Sequence, residues 1–240
     1  MSAVLSQVLV NGLIAGSIYA LVAAGFSIIY STNKFMHFAH GATLAVAGYL
    51  TYAFFSMLSM SFGLSVILSL VVTVCFGWLL YQAVYLPLLR KKASTVILLI
   101  ASLGLLILFE NILQAVFGAD VKTLNVFAIR QGFGVLGAAI TPLQLWIISI
   151  TLVVLCLTYL LMQKTKLGRH MRAVADNKEL ASIMGINEKK VAAYSFMLGS
   201  LLGAIAGILV GLEQNLKPTM GTGLMIRGYT GAIIGSATSV

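Results

Sequence analysis

The chain has 240 residues, of which 60% are hydrophobic and 9% charged, and its mean hydropathy is +1.03. A soluble domain of this length carries far more charge, so composition excludes a soluble globular fold and predicts an all-α, polytopic integral membrane protein. The net charge of +9 invites a nucleic-acid reading. The basic residues stand between apolar blocks, however, and form no stripe beside stacking aromatics, so no nucleic-acid partner is expected.

The first apolar run lacks a basic segment before it and is long enough to span. Residues 7–30 are therefore read as a first helix and not as a cleavable signal peptide. Gly12 and Gly16, four apart, would let another helix approach closely. Residues 31–41 form a polar connector with Lys34, His37 and His40. Two histidines three apart suit a metal or a proton relay, but no acid or thiol stands near them, and a hydrogen-bonded turn at the membrane surface is expected. A second span covers 40–57, and a third covers 63–88, ended by Pro87 and the cluster Arg90-Lys91-Lys92. The fourth, 94–117, contains Glu110, for which two readings stand. It is either an intramembrane acid that needs a partner or a water-filled cavity, or one that reaches the interface from about two turns inside the helix end. A Gly-rich connector over 118–140 holds Asp120, Lys122 and Arg130, and its part 132–140 is a candidate for dipping towards the membrane. The fifth span is 141–163.

The sixth span, 191–212, places Ser195, Gly199, Gly203, Gly207 and Gly211 four apart. Four residues slightly exceed one 3.6-residue turn, so these make a small-residue stripe that drifts slowly around the helix, and another helix packs there, within this subunit or across a dimer. The last segment, 223–240, is Gly-rich, with Gly231 and Gly235 again four apart. Cys75 and Cys156 lie inside apolar blocks without metal-ligand spacing and are read as packing residues.

Between the fifth and sixth spans lies a polar island, KTKLGRHMRAVADNKELASIMGINEKK, residues 164–190, with seven basic and three acidic residues. At about 2.5–3.5 kcal/mol for each Lys, Arg or Asp at a membrane centre, this segment must be in water. Asp176 and Glu179 have the spacing of a capping box, a short helix runs through Lys178, Leu180, Ala181 and Met184, and Gly185 ends it. Leu180, Ala181 and Met184 are expected on one face. A helix of about two turns is not stable alone, so that face rests either on a partner or on the chain's own membrane domain. Alternating the spans puts Lys34, Arg90-Lys91-Lys92 and the island on one side. Lys122, Arg130, Lys217 and Arg227 fall on or near the other. Eleven basic residues against four place the island in the cytoplasm and the N-terminus outside.

The run Gly168-Arg169-His170-Met171-Arg172-Ala173-Val174-Ala175-Asp176-Asn177, continuing to Ala181 and Met184-Gly185-Ile186, resembles the cytoplasmic coupling loop of ABC-importer permeases, most closely the branched-chain amino acid permease family. A second match comprises Asn11-Gly12, Gly16-Ser17-Ile18-Tyr19-Ala20-Leu21, Gly25, Ile29-Tyr30 and Phe38-Ala39-His40-Gly41; His37 stands where that family usually has Asn. The resemblance implies one transmembrane permease domain over 1–240, of about six to seven spanning or re-entrant segments, in the cell inner (cytoplasmic) membrane. It implies three kinds of partner: a second permease subunit, two cytoplasmic ATPase subunits and an extracytoplasmic binding protein. Leu180, Ala181 and Met184 would then contact an ATPase groove, with Ala173 in the matching run. Arg169, Arg172 and Asp176 would orient the loop, and Gly168 and Gly185 would permit its turns. The implied cargo is branched-chain or other hydrophobic amino acids; related permeases carry urea, short amides or sugars. Asn11, Ser17, Tyr19, His40 and Glu110 are candidates for the substrate path. The family continues beyond Val240 with a Gly-rich segment and at least one further helix, so the C-terminus is expected to be short.

No Gly-Lys pair occurs in the chain, which excludes a Walker A loop. No catalytic constellation, metal site or cofactor motif is present, and the chain is expected not to be an enzyme on its own. A self-contained channel or secondary transporter, the alternative from another class, would need paired broken halves and several ionisable groups. A membrane scaffold without transport activity is the third reading.

Overall fold

A computed structural model describes residues 2–126, 132–135 and 138–235; Arg130 and the last five residues, on which part of the charge count and the expected C-terminal shortening fall, lie outside these. The helices in chain order are α1 (Ser2–Asn33), α2 (His40–Tyr52), α3 (Phe62–Leu80), α4 (Leu86–Arg90), α5 (Thr95–Phe117), α6 (Pro142–Lys164), α7 (Lys166–Asp176), α8 (Lys178–Ile183), α9 (Glu188–Gln214) and α10 (Met220–Ile234). A two-stranded antiparallel hairpin, β1 (Phe133–Val135) and β2 (Ala138–Ile140), precedes α6. The part of the connector proposed to dip is thus a hairpin, and Gln7 near the start of α1 brackets its Ala139 backbone at 2.8 and 3.2 Å.

Among the described residues, five helical stretches are long and apolar enough to cross a membrane: Val4–Asn33, Phe62–Arg90, Thr95–Phe117, Pro142–Lys164 and Glu188–Gln214. Local chemistry sets their ends. Thr141 and Gln144 form a reciprocal capping box with Pro142 in the first turn of α6, and Ser94 caps α5. Pro87 does not stop the third span. A π-helical turn, Tyr81–Tyr85, precedes α4, which carries the chain through Pro87, in its first turn, to Arg90. The expected second span, 40–57, is α2 followed by a π-helical turn over Ala53–Met57. At 13 residues α2 is about 20 Å long, short of a bilayer's hydrocarbon core.

Helix α9 is the axis. Its central window is 72% buried, against at most 44% for the other four long helices. The small-residue stripe explains this, because each of its members receives a different neighbour. Ser195 Oγ accepts from Thr32 Oγ1 at 2.8 Å and from Asn33 Nδ2 at 3.0 Å. Further along, a methyl group on Gly199 would sit 2.8 Å from the Gly25 carbonyl oxygen, and one on Gly203 would sit 2.8 Å from His40 Cε1. Gly207 lies against the Leu44 backbone and Gly211 against Leu216. The pairings run opposite in α1 and α9, and in the same direction in α2 and α9. The stripe's partners, left open between this chain and a second subunit, are therefore elements of this chain.

The polar connector leaves the surface. Lys34 adopts a left-handed conformation (φ 60°) just after α1, and the chain then turns back inward. Phe35, His37, Ala39 and His40 are fully buried. The His40 ring sits between Gly25 and Gly203, about 12 Å along α1 from its end at Asn33. The expectation of a surface turn is thus corrected: two facing glycines open a slot that an imidazole fills. Non-helical backbone at such depth is tolerated only inside protein with its polar groups paired. Here the Ala39 N–H donates to Ser102 Oγ at 3.0 Å, His40 N–H to the His37 carbonyl, and His37 Nδ1 pairs with Tyr85 Oη at 2.9 Å. Cys75 and Cys156 are both exposed on the outer apolar surface instead of packing inside.

Adding a methyl group where the backbones meet is expected to open the bundle. Gly207→Ala should lower the stability of the detergent-solubilised protein by about 1–3 kcal/mol, read as a lower thermal midpoint. Gly104→Ala, on α5 with open space around it, should leave the midpoint unchanged or raise it slightly.

Candidate functional site

The polar island folds into a platform of two helices, where the sequence predicts one. Thr165 caps α7 by accepting from Gly168 N at 3.1 Å. Gly168 lies so close to the Leu161 and Met162 carbonyl oxygens that no side chain fits there. Arg172 turns inward and donates to the Met162 carbonyl, satisfying an acceptor that the end of α6 leaves without a helical donor. Met171 and Val174 are buried against the bundle, Ala173 is half-buried, and Arg169 is exposed.

The cap of α8 is displaced by one residue from its expected place. Asp176 continues α7 in helical geometry and so cannot cap the next helix. The chain turns at Asn177 (φ −147°, ψ 110°), whose Oδ1 accepts from Leu180 N at 3.0 Å. At the other end Gly185 (φ +81°) closes the helix as expected. Its N–H donates to the Ser182 carbonyl and that of Ile186 to the Ala181 carbonyl, both at 3.0 Å, which is a Schellman arrangement.

The expected common face of Leu180, Ala181 and Met184 divides. Successive helical residues are about 100° apart, and the Asn177 cap turns Ala181 into the bundle, where it is 2% exposed. Leu180, Ile183 and Met184 point outward at 58%, 83% and 74% exposure. Ala181 therefore rests on the chain's own membrane domain, and the outward face contains Ile183, which the sequence reading missed. Counting i, i+3, i+4 from Leu180 would have found it.

A second missed residue is Lys178. It reaches under α8 and donates from Nζ to the Asn33 carbonyl at 3.3 Å, at the end of α1. Burial holds its ammonium below the ordinary lysine value; the Glu188 carboxylate opposes this shift and Lys34 adds to it. Lys178 and the Thr32, Asn33 and Ser195 hydroxyl and amide contacts thus join α8, α1 and α9 at one end of the bundle. Arg90, Lys189 and Lys190 line a cleft at this same end. The opposite end holds Gln7 with the hairpin, and Lys122, whose backbone pairs reciprocally with Leu216.

The candidates for a substrate path do not form one cluster. Asn11 is exposed and accepts from Gln7 Nε2 at 3.1 Å, while Ser17 Oγ donates to the Leu13 carbonyl of its own helix. Neither bond points to a path. His40 is enclosed between α1 and α9. Glu110 resolves towards its inward reading, since half-buried it accepts from Thr222 Oγ1 near the start of α10. Tyr19 is paired with Arg227, which donates from Nη1 to the tyrosine oxygen at 2.6 Å and stacks 5.5 Å from the ring centre. Arg227, which the alternation of spans put on or near the outer side, lies on α10 beside the middle of α1. An arginine inside a weakly apolar helical segment was the available signal.

The chain matches the family model described as "Branched-chain amino acid transport system / permease component" over residues 8–240. It is 30% identical to the high-affinity branched-chain amino acid transport system permease protein BraD of Pseudomonas aeruginosa, over 98% of this chain and 80% of that protein. It is 29% identical to the corresponding protein LivH of Escherichia coli, with the same coverage. The ribose import permease protein RbsC of Escherichia coli is 24% identical over 60% of this chain and 43% of its own length. No solved structure matches. With a family match across almost the whole chain and five membrane-length helices in an all-α fold, this polytopic membrane protein belongs to the branched-chain amino acid transport system permease family.

Proposed function

We propose that this chain is the membrane-spanning permease subunit of an ATP-driven ABC importer for branched-chain or other hydrophobic amino acids, coupled to separate ATPase subunits through the loop 164–190. The observation that carries this reading is the outward face of α8. Leu180, Ile183 and Met184 are exposed on a segment too charged for lipid, and the short helix bearing them is fastened to the bundle by Ala181, Lys178 and its two caps. An apolar face presented to water on a rigid mount suits a protein groove. Arg169 and Asp176 are exposed beside it and supply polar contacts at its rim.

The chain lacks a nucleotide-binding motif of its own, so a cytoplasmic ATPase pair supplies the energy. A second permease subunit completes the path, and a binding protein outside delivers cargo. The basic end of the bundle faces the cytoplasm and the end bearing Gln7 and the hairpin faces outward. Motion of the ATPase pair reaches the membrane through Lys178 and α1, and through Ser195 and α9. Amino-acid cargo is preferred over sugar because the amino-acid permeases match 98% of the chain and the ribose permease 60%.

Two outcomes test the coupling role. The pair Ile183→Asp and Met184→Asp should reduce co-purification with the ATPase subunits by at least about tenfold, the effect of placing unpaired charge in an apolar contact. Membrane insertion and the gel-filtration profile should stay as in the wild type, because both side chains are exposed. Undiminished ATPase retention would remove α8 as the docking element. Lys178→Ala should keep the ATPase bound yet lower leucine uptake by membrane vesicles several-fold; equal uptake would mean that the Asn33 contact transmits nothing.

A further inference from the structure

Arg227 joins α10 to α1 through Tyr19 but is not buried in the bundle. The inward residues of α10 are Gly221, Leu224, Met225, Gly228 and Ala232, and Arg227 lies on an exposed flank of the helix. Its contact Tyr19 stands 14 residues before the end of the 32-residue α1, which places the guanidinium about 21 Å from that end, near the middle of the membrane-length stretch. A charged side chain at that depth does not face lipid without a large penalty; such groups face a bundle interior or a water-filled cavity.

No acid neutralises it. Among the described residues the one ion pair is Lys122 with Asp120, at an end of the bundle, and Glu110 is engaged by Thr222. A guanidinium offers five N–H donors in a planar fork matched to a carboxylate. One of them is bound to Tyr19 Oη, with the guanidinium carbon 5.5 Å from the ring centre, and the residue is exposed. The hydroxyl tethers the fork at one donor and no other hydrogen bond of the group is seen among the described residues. Beside it on α1, Gly12 and Gly16 leave open space with nothing within 4 Å of where a side chain would start.

We infer that Arg227, oriented by Tyr19, is a carboxylate-binding station midway along the translocation path, where it holds the α-carboxylate of the amino acid in transit. This rests on the amino-acid permease reading and adds the group that recognises the cargo's charged end. Tyr19 is the positioning residue and Arg227 the binding one. The apolar side chain of the cargo would lie along the open surface of Gly12 and Gly16, which reads size and not charge. A carboxylate from a partner subunit would satisfy the same fork, and accessibility separates the two sources, since a permanent protein partner would close the site to water.

The test uses membrane vesicles from the source cells, with variants in place of the wild-type chain. Arg227→Gln should lower uptake of radiolabelled leucine by about ten- to a hundredfold, the range expected for lost charge-assisted hydrogen bonds, while the ATPase subunits still co-purify. In a Cys75→Ser, Cys156→Ser background that keeps Arg227, a Gly223→Cys variant, one turn away on α10 with open space around it, should react with a negatively charged, membrane-impermeant thiosulfonate; leucine should slow that reaction several-fold, and adding Arg227→Gln should abolish the slowing. Wild-type uptake by Arg227→Gln, or a Gly223→Cys variant that resists the reagent or reacts equally fast with and without leucine while Arg227 is present, overturns the inference. If Arg227→Gln fails to assemble, the labelling result decides. Absence of hydrophobic amino acid uptake by wild-type vesicles would instead overturn the permease reading on which the inference stands.

Discussion

Everything in this bundle depends on how closely backbones can approach α9. In lipid there is no hydrophobic gain from burying one helix against another, so association rests on van der Waals contact and interhelical hydrogen bonds. Both become strong only at short range. Gly199, Gly203 and Gly207 supply that range by removing side chains from the line of contact, and Gly25 does the same from α1. Ser195 begins the line with a hydroxyl that binds two polar side chains from the end of α1. The result is a central helix enclosed by α1, α2 and α3, with α5 and α6 set further out and mostly facing lipid.

This close packing makes the buried connector possible. The chain between α1 and α2 abandons helical geometry inside the bundle, which is costly unless each polar group is paired and no lipid reaches it. His40 fills the slot between two glycines, Tyr85 pairs with His37 Nδ1 and Ser102 accepts from the Ala39 N–H, while His37 Nε2 and both ring nitrogens of His40 stay without a hydrogen-bond partner among the described residues. Aromatic contacts of Phe35 and His37 with Tyr85 and Phe196, at ring-centre separations of 4.8–6.3 Å, seal the region. The histidine pair, expected at a surface turn, lies inside instead, where α2 begins deep in the bundle and runs alongside α9.

The same rigidity gives the polar platform its meaning. Helices α7 and α8 are tied to the ends of α6 and α1 by Arg172 and Lys178, through bonds to carbonyls that helix termini leave unpaired. Helix α1, whose end receives Lys178, also carries Tyr19, which touches Arg227, in its own middle.

Composition, five of the six expected spans, the glycine stripe and the polar character of residues 164–190 were legible in the chain itself, because they follow from local quantities: hydropathy over a window, the four-residue spacing on a helix, and the cost of charge in lipid. Gly185 was legible for the same reason, as a turn that demands positive φ. What needed the tertiary structure was which atoms meet. Whether Asp176 or Asn177 caps α8 depends on where α7 stops, and that one-residue difference turns Ala181 inward and Ile183 outward. What Arg172 holds is open until the end of α6 is placed beside it, and Arg227 counts only as a charge on or near the outer side until α10 is laid against the centre of α1. The sequence by itself determined a helical membrane protein with an aqueous platform, since those properties are sums over neighbours in the chain. Only the tertiary structure decided which side chains serve packing and which remain free to bind, since that depends on contacts between residues as far apart as Tyr19 and Arg227.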